Sequence, residues 1–92
     1  RIMYVPTRLR VLRIKYKITL NALAGRMNIS NQHLSRMELA DIPPTEYHER
    51  LLCFGMERLL AEWDGAPEEL KQEYQTYKGR LLQPAKEVED EH

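Results

Sequence analysis

Cysteine is nearly absent from this 92-residue chain. Cys53 stands alone, so neither a disulfide framework nor a cysteine-built zinc site can form within it. No run approaches the ~20 apolar residues that a membrane-crossing helix needs. No charged stretch followed by an apolar one opens the chain, so nothing reads as a secretory signal. A reducing, cytoplasmic setting is the expectation. Internal repeats are lacking, and so is the apolar–polar alternation of a half-buried strand. What is present is 42% apolar residues, enough for one compact core and too many for a disordered chain. A chain of this size is not expected to house an enzyme active site, and no cofactor is expected.

The chain has no net charge, with 14 basic and 14 acidic residues, but the charges are not mixed. Residues 1–42 hold eight basic residues (Arg1, Arg8, Arg10, Arg13, Lys15, Lys17, Arg26 and Arg36) against two acids, Glu38 and Asp41. Residues 43–92 hold six basic residues against twelve acids. A basic half joined to an acidic half is the pattern of a polyanion-binding face attached to a part held away from it. A solvated surface with chance clustering is the plain alternative.

Apolar spacings of three and four predict helices throughout, hence an all-α fold. Leu9, Leu12 and Tyr16 mark a helix over 8–16, with Thr7 as its N-cap. Thr19 caps a second over 20–27, with Leu20, Leu23, Ala24 and Met27 inward. Asn28 tolerates the left-handed conformation that ends a helix. Ile29 is expected to bury, and Ser30 caps a third helix over 31–39, with Leu34 and Met37 inward. The Ile42-Pro43-Pro44 stretch is a rigid connection. Thr45 then opens one long or kinked helix over 45–63, with Gly55 inside it. Pro67 is placed at the first position of a last helix bearing the stripe Leu70, Tyr74, Tyr77 and Leu81. The acidic residues 83–92 are expected to be frayed or disordered.

The informative stretch runs from Thr19 to Ala40. Two short helices separated by about three residues, each burying one face on the other, make a helix-turn-helix. The second projects Asn31, Gln32, His33, Ser35 and Arg36. A B-DNA major groove, ~12 Å wide, admits one helix; Asn and Gln pair with adenine, and Arg with guanine. No acid stands between Leu20 and Met37, as a phosphate-facing surface requires.

On Leu9, Arg10, Leu12, Arg13, Thr19, Leu23, Ala24, Met27, Ile29, Ser30, Leu34, Ser35, Arg36, Met37 and Glu38, the chain resembles the Cro/C1-type (XRE family) helix-turn-helix proteins over about residues 8–54. The resemblance implies a compact, lambda repressor-like helical bundle, here with an extra C-terminal helix. It implies base contacts from Asn31, Gln32, His33 and Arg36, and a structural ion pair between Arg13 and Glu38. Backbone contacts are assigned to Arg8, Lys15, Lys17, Thr19, Asn21 and Ser35. Three positions depart from the family pattern: Leu20 replaces a phosphate-contacting Gln, Asn28 replaces the turn Gly, and Asp41 sits in a usually basic loop.

The expected organisation is a DNA-binding domain over 1–63, a C-terminal helix over 64–82 and an acidic tail over 83–92. Because the family core is complete without the last helix, its stripe (Leu70, Tyr74, Tyr77, Leu81), with Leu59 and Trp63, is expected to form a homodimer interface, with packing on that core as the alternative. The expected function is a sequence-specific regulator of transcription, a repressor that binds double-stranded DNA as a dimer on a palindromic operator with half-sites ~10 bp apart. The alternative is an antitoxin-like or accessory module whose acidic C-terminal part binds a partner protein; a third reading is an interaction domain without DNA binding. Metal binding is not expected, since His33 has no second ligand at helical spacing. His48 reads as a surface residue and Cys53 as core filler. Glu68, Glu69 and Glu73 complement the dipole of the last helix.

Overall fold

The computed structural model describes residues 6–85, which form five helices: α1 (Arg8–Lys15), α2 (Leu20–Met27), α3 (Asn31–Glu38), α4 (Glu46–Glu62) and α5 (Glu68–Tyr77). The chain is an all-α bundle, and among the described residues no helix is long and apolar enough to cross a membrane.

Each of the first four helices starts at a hydroxyl cap. Thr7, Thr19, Ser30 and Thr45 sit in extended backbone and accept the N–H of the residue three further on. Each thereby satisfies one of the donors a helix start leaves orphaned. The first three helices also stop the same way, on a left-handed residue that is not glycine: Lys17 (φ 59°), Asn28 (φ 66°) and Ala40 (φ 62°). In each case the next N–H reaches back five residues, from Ile18 to Arg13, Ile29 to Ala24 and Asp41 to Arg36, at 2.8, 3.1 and 2.9 Å. These are Schellman closures, which return the last carbonyls to hydrogen bonding.

One core joins all five helices. Leu9 and Leu12 of α1, Leu23, Ala24 and Met27 of α2, Leu34 and Met37 of α3, Leu52, Met56 and Leu59 of α4, and Leu70 and Tyr74 of α5 belong to a single buried cluster. The main packing is α2 on α4. Gly55 makes that contact possible within an unbroken α4: a Cβ there would collide with Met27 Cγ and press on Leu23. Ile29 is half-buried against the cluster rather than closed off.

The C-terminal part departs from expectation in three ways. Pro67 caps α5 with an extended ψ of 139°, so the helix begins one residue later. Lys78, with ψ 141°, ends the helix at Tyr77, so Leu81 is not on it. Leu81, Leu82 and Ala85 instead run back across the start of α1 as a buried strap. There, the Arg8 and Leu9 N–H groups donate to the Gln83 and Leu81 carbonyls at 2.9 Å each, and the Ala85 N–H donates to the Pro6 carbonyl at 2.8 Å. Residues 83–85, expected to be frayed, are therefore ordered by satisfying the open end of α1. The other end of the strap is held by Glu49, whose carboxylate accepts the Leu81 and Leu82 N–H groups at 3.0 and 2.8 Å. The rest of the expected acidic tail lies outside the described residues.

The strap also settles where the α5 stripe goes. Leu70, Tyr74, Leu81 and Leu59 are buried within one chain, and Trp63 and Tyr77 pack half-buried against the same cluster. The dimer interface expected at these six residues is corrected accordingly, because four of them are buried and the other two half-buried within a single chain.

Candidate nucleic-acid interface

The α2–turn–α3 unit is built from the two closures already described. Thr19 accepts the Ala22 N–H at 3.0 Å to begin α2; Asn28 ends it; Ser30 accepts the His33 N–H at 3.1 Å to begin α3. Only Asn28–Ser30 separate the two helices. On α3 the buried positions are Leu34, Met37 and Glu38, spaced three and four apart. This phase points Asn31, Gln32, His33 and Arg36 to solvent, and Ser35 is half-buried. The strap lies at α1, and none of these four is covered by it.

The far end of α3 is fixed by a buried charge. Glu38 is entirely closed off from solvent. Its carboxylate receives Arg13 side-on, Nε to Oε2 at 2.5 Å and Nη2 to Oε1 at 2.9 Å, and Arg10 Nη1 at 3.4 Å. Arg13 Nη1 also donates to the Ile18 carbonyl at 2.9 Å. The expected Arg13–Glu38 pair is present, and Glu38 also meets Arg10 and Thr7, which sequence reasoning missed. Arg10 lies one turn before Arg13 on the same side of α1, a spacing that could have shown it. Thr7, read only as a cap, also donates its hydroxyl to the Glu38 carbonyl oxygen at 2.9 Å while buried itself. Nothing in the sequence marks that second role.

Apart from Ser35, half-buried on α3, the assigned backbone contacts divide into two groups. Lys17, Thr19 and Asn21 are exposed where α2 begins. Arg8 and Lys15 lie instead against α5, and their assignment to the α2–α3 surface is corrected. The Arg8 guanidinium stacks 4.2 Å from the Tyr77 ring centre, and Lys15 Nζ binds Glu73 at 2.6 Å. The phase of α1 explains this, since Arg10, which reaches α3, is about 160° around the helix from Arg8. The hydrogen bond to Glu73 raises the Lys15 ammonium above its ordinary pKa.

Four cations of the basic half are paired with acids of the chain. Arg10 and Arg13 meet Glu38, Lys15 meets Glu73, and Arg26 meets Glu62 at 2.9 Å. Among the described residues of that half, Lys17 and Arg36 are the cations without such a partner. Two of these pairs cross between the basic and acidic halves, Lys15–Glu73 joining α1 to α5 and Arg26–Glu62 joining α2 to α4. Leu20 packs partly against the core.

His33 has a neighbour that helical spacing could not reveal. His48 of α4 brings its ring centre within 6.2 Å of that of His33, and Thr45 holds the His48 Nδ1 at 3.0 Å. No group of three or more potential metal ligands occurs among the described residues. No protein-family model matches the chain, and no curated protein or solved structure matches it either.

Proposed function

We propose that this chain binds double-stranded DNA sequence-specifically through α3 and acts as a regulator of transcription, a repressor that occupies its operator as a dimer. One observation carries the reading. The first turn of α3 and Arg36 stand open to solvent, while the other end of the helix is clamped by the buried Glu38. A rigidly held helix with free amides and a free guanidinium is what major-groove readout requires. Asn31 and Gln32 supply amides suited to adenine, Arg36 a guanidinium suited to guanine, and Lys17 with the start of α2 a phosphate contact.

A second reading is favoured by the internal pairing of Arg10, Arg13, Lys15 and Arg26, which leaves few cations for phosphate. In it, the same surface and the acidic C-terminal half bind a protein, as in an antitoxin-like or accessory module. Selection of bound duplexes from a random pool at low salt separates the two. The DNA reading expects an enriched, palindromic site. With about two phosphates neutralised per protomer, it also expects a log–log salt slope near −2 per half-site. A pool that yields no enriched sequence sinks it in favour of the protein-binding reading.

A further inference from the structure

The largest exposed aromatic surface lies on α4, on the side facing away from the core. Phe54 and Tyr47 are 53% and 61% exposed, where every other large apolar side chain of α4 is at least half-buried. Aromatic and arginine side chains together are the composition of interface hot spots, and Arg50 and Arg58 flank this pair, Arg58 lying 5.6 Å from the Phe54 ring centre. The geometry points to a second copy of this chain as the occupant, docked with its own α4 antiparallel across a two-fold axis at Phe54.

The argument is self-complementarity. Phe54 is the middle residue of α4 (Glu46–Glu62). At 100° per residue, Arg50 and Glu57 fall about 40° and 60° to the same side of it. At 1.5 Å per residue, Arg50 lies about 6 Å before it and Glu57 about 4.5 Å after it. A two-fold axis sets the same flank of both helices face to face and reverses their direction, so each Arg50 comes level with the partner's Glu57, twice per dimer. The same operation sets Tyr47, seven residues before Phe54, against Ala61, seven residues after it, large against small. Arg50 can make the exchange, since its present pairing with Glu46 is loose, at 3.7 Å with both side chains largely exposed. Glu57 already accepts the Tyr74 hydroxyl at 2.8 Å and lies 3.6 Å from Lys78 Nζ, both through Oε2, so its Oε1 is the oxygen that would meet the partner's Arg50. The exposed apolar pair on α1, Val11 and Ile14, lacks this property. α1 carries no acid, so two copies laid together there would oppose like charges.

One helix face buries less than the ~1,600 Å² of a standard interface, so the dimer is weak and concentration-dependent. Sedimentation equilibrium over a micromolar-to-millimolar series tests it without DNA, so its outcome is independent of the DNA-binding reading. The wild-type chain is expected to pass from monomer to dimer across the series. Phe54→Glu should raise the dimer dissociation constant about thirtyfold or more. Arg50→Glu, a surface change, should weaken the dimer, whereas Arg50→Lys, which keeps the charge, should leave its constant within about threefold of wild type. Thermal melts by circular dichroism establish that each variant is folded. A chain that stays monomeric throughout, or a dimer whose constant is unmoved by Phe54→Glu and Arg50→Glu, overturns the proposal.

Discussion

Arg13 closes on Glu38 in a two-bond fork that ties the first helix to the last turn of α3, with the carboxylate wholly inside the protein. Such a pair contributes little net stability against a well-packed apolar replacement, because both charges were taken out of water. Removing one partner is another matter, since the other charge is left buried. Arg13→Ala is expected to cost ~3–5 kcal/mol in urea unfolding. Replacing both residues by apolar ones of similar size should recover much of that loss. If Arg13→Ala costs under ~1 kcal/mol, Arg10 alone suffices for Glu38 and the clamp is not the fixed point of α3.

Two glycines that look alike in sequence should respond in opposite directions to alanine. Gly25 lies on the exposed side of α2 with nothing within reach of an added Cβ. Gly25→Ala is expected to stabilise by ~0.5–1 kcal/mol through lower unfolded-chain entropy. Gly55 faces Met27 and Leu23 inside the core, so Gly55→Ala gains the same propensity but must displace Met27 from a closed site. A net loss of ~1–3 kcal/mol is expected from overpacking. Melting temperatures of the two variants check the contrast, and a stabilising Gly55→Ala contradicts the close α2–α4 approach.

Left-handed closures on Lys17 and Ala40 hold a conformation that costs a residue with a Cβ about 1–2 kcal/mol. Lys17→Gly and Ala40→Gly relieve that strain but add unfolded-state freedom, so a gain of ~0.5–1 kcal/mol is expected from each. Asn28, which tolerates this region better, should gain less from the same change. Chemical denaturation of the three variants measures the order. Equal gains at all three would mean the caps are not strained in the way the φ angles imply.

Much of this architecture was legible in the order of residue types. Thr7, Thr19, Ser30 and Thr45 announce helix starts because a short side-chain oxygen at that place can accept a first-turn N–H, and Asn28 announces an end. Leu23, Met27, Leu34 and Met37 announce the facing sides of α2 and α3 through spacing alone. What stayed hidden depends on contacts between distant segments. Leu81 continues the period of α5 in sequence, yet Lys78 breaks the helix and the strap buries Leu81 at α1. Arg8 and Lys15 read as free cations until the phase of α1 turns them to Tyr77 and Glu73. His48 approaches His33 only because the Pro43-Pro44 connection brings the start of α4 back to α3.

The proposed DNA contacts separate by the kind of loss each produces. Gln32→Ala and Arg36→Ala remove groups placed to read base edges, and each should cost ~1–3 kcal/mol on the selected site while relaxing preference at one position. Lys17→Ala removes a charge without base information. It should weaken binding to all duplexes alike and flatten the salt slope by about one. Titrations of selected and scrambled duplexes at several salt concentrations distinguish these patterns. Uniform losses from Gln32→Ala and Arg36→Ala would place α3 outside the groove.

Tyr74 gives the fold an alkaline limit. Its ring is buried, and burial chiefly, together with hydrogen bonds to the Cys53 carbonyl and to Glu57, raises its phenol well above the ordinary value of 10.0. The single hydroxyl hydrogen goes mainly to Glu57 Oε2 at 2.8 Å rather than to the carbonyl at 3.3 Å. In the unfolded chain the phenol ionises near its ordinary value, whereas in the fold it keeps its proton. Above pH 10 the unfolded state therefore binds fewer protons than the native one, and stability falls as pH rises. The contribution is fully present below pH 10 and is lost above it at up to ~1.4 kcal/mol per pH unit. Tyr74→Phe removes that dependence and gives up the hydrogen bond to Glu57, which stays solvated and keeps Lys78 at 3.6 Å, so it should be less stable at pH 7, by ~0.5–1.5 kcal/mol, and less sensitive to pH between 10 and 11.5. Urea unfolding of both chains across that range gives the difference directly. Parallel decline of the two curves would show that Tyr74 ionises freely and that its hydroxyl is not held inside the core.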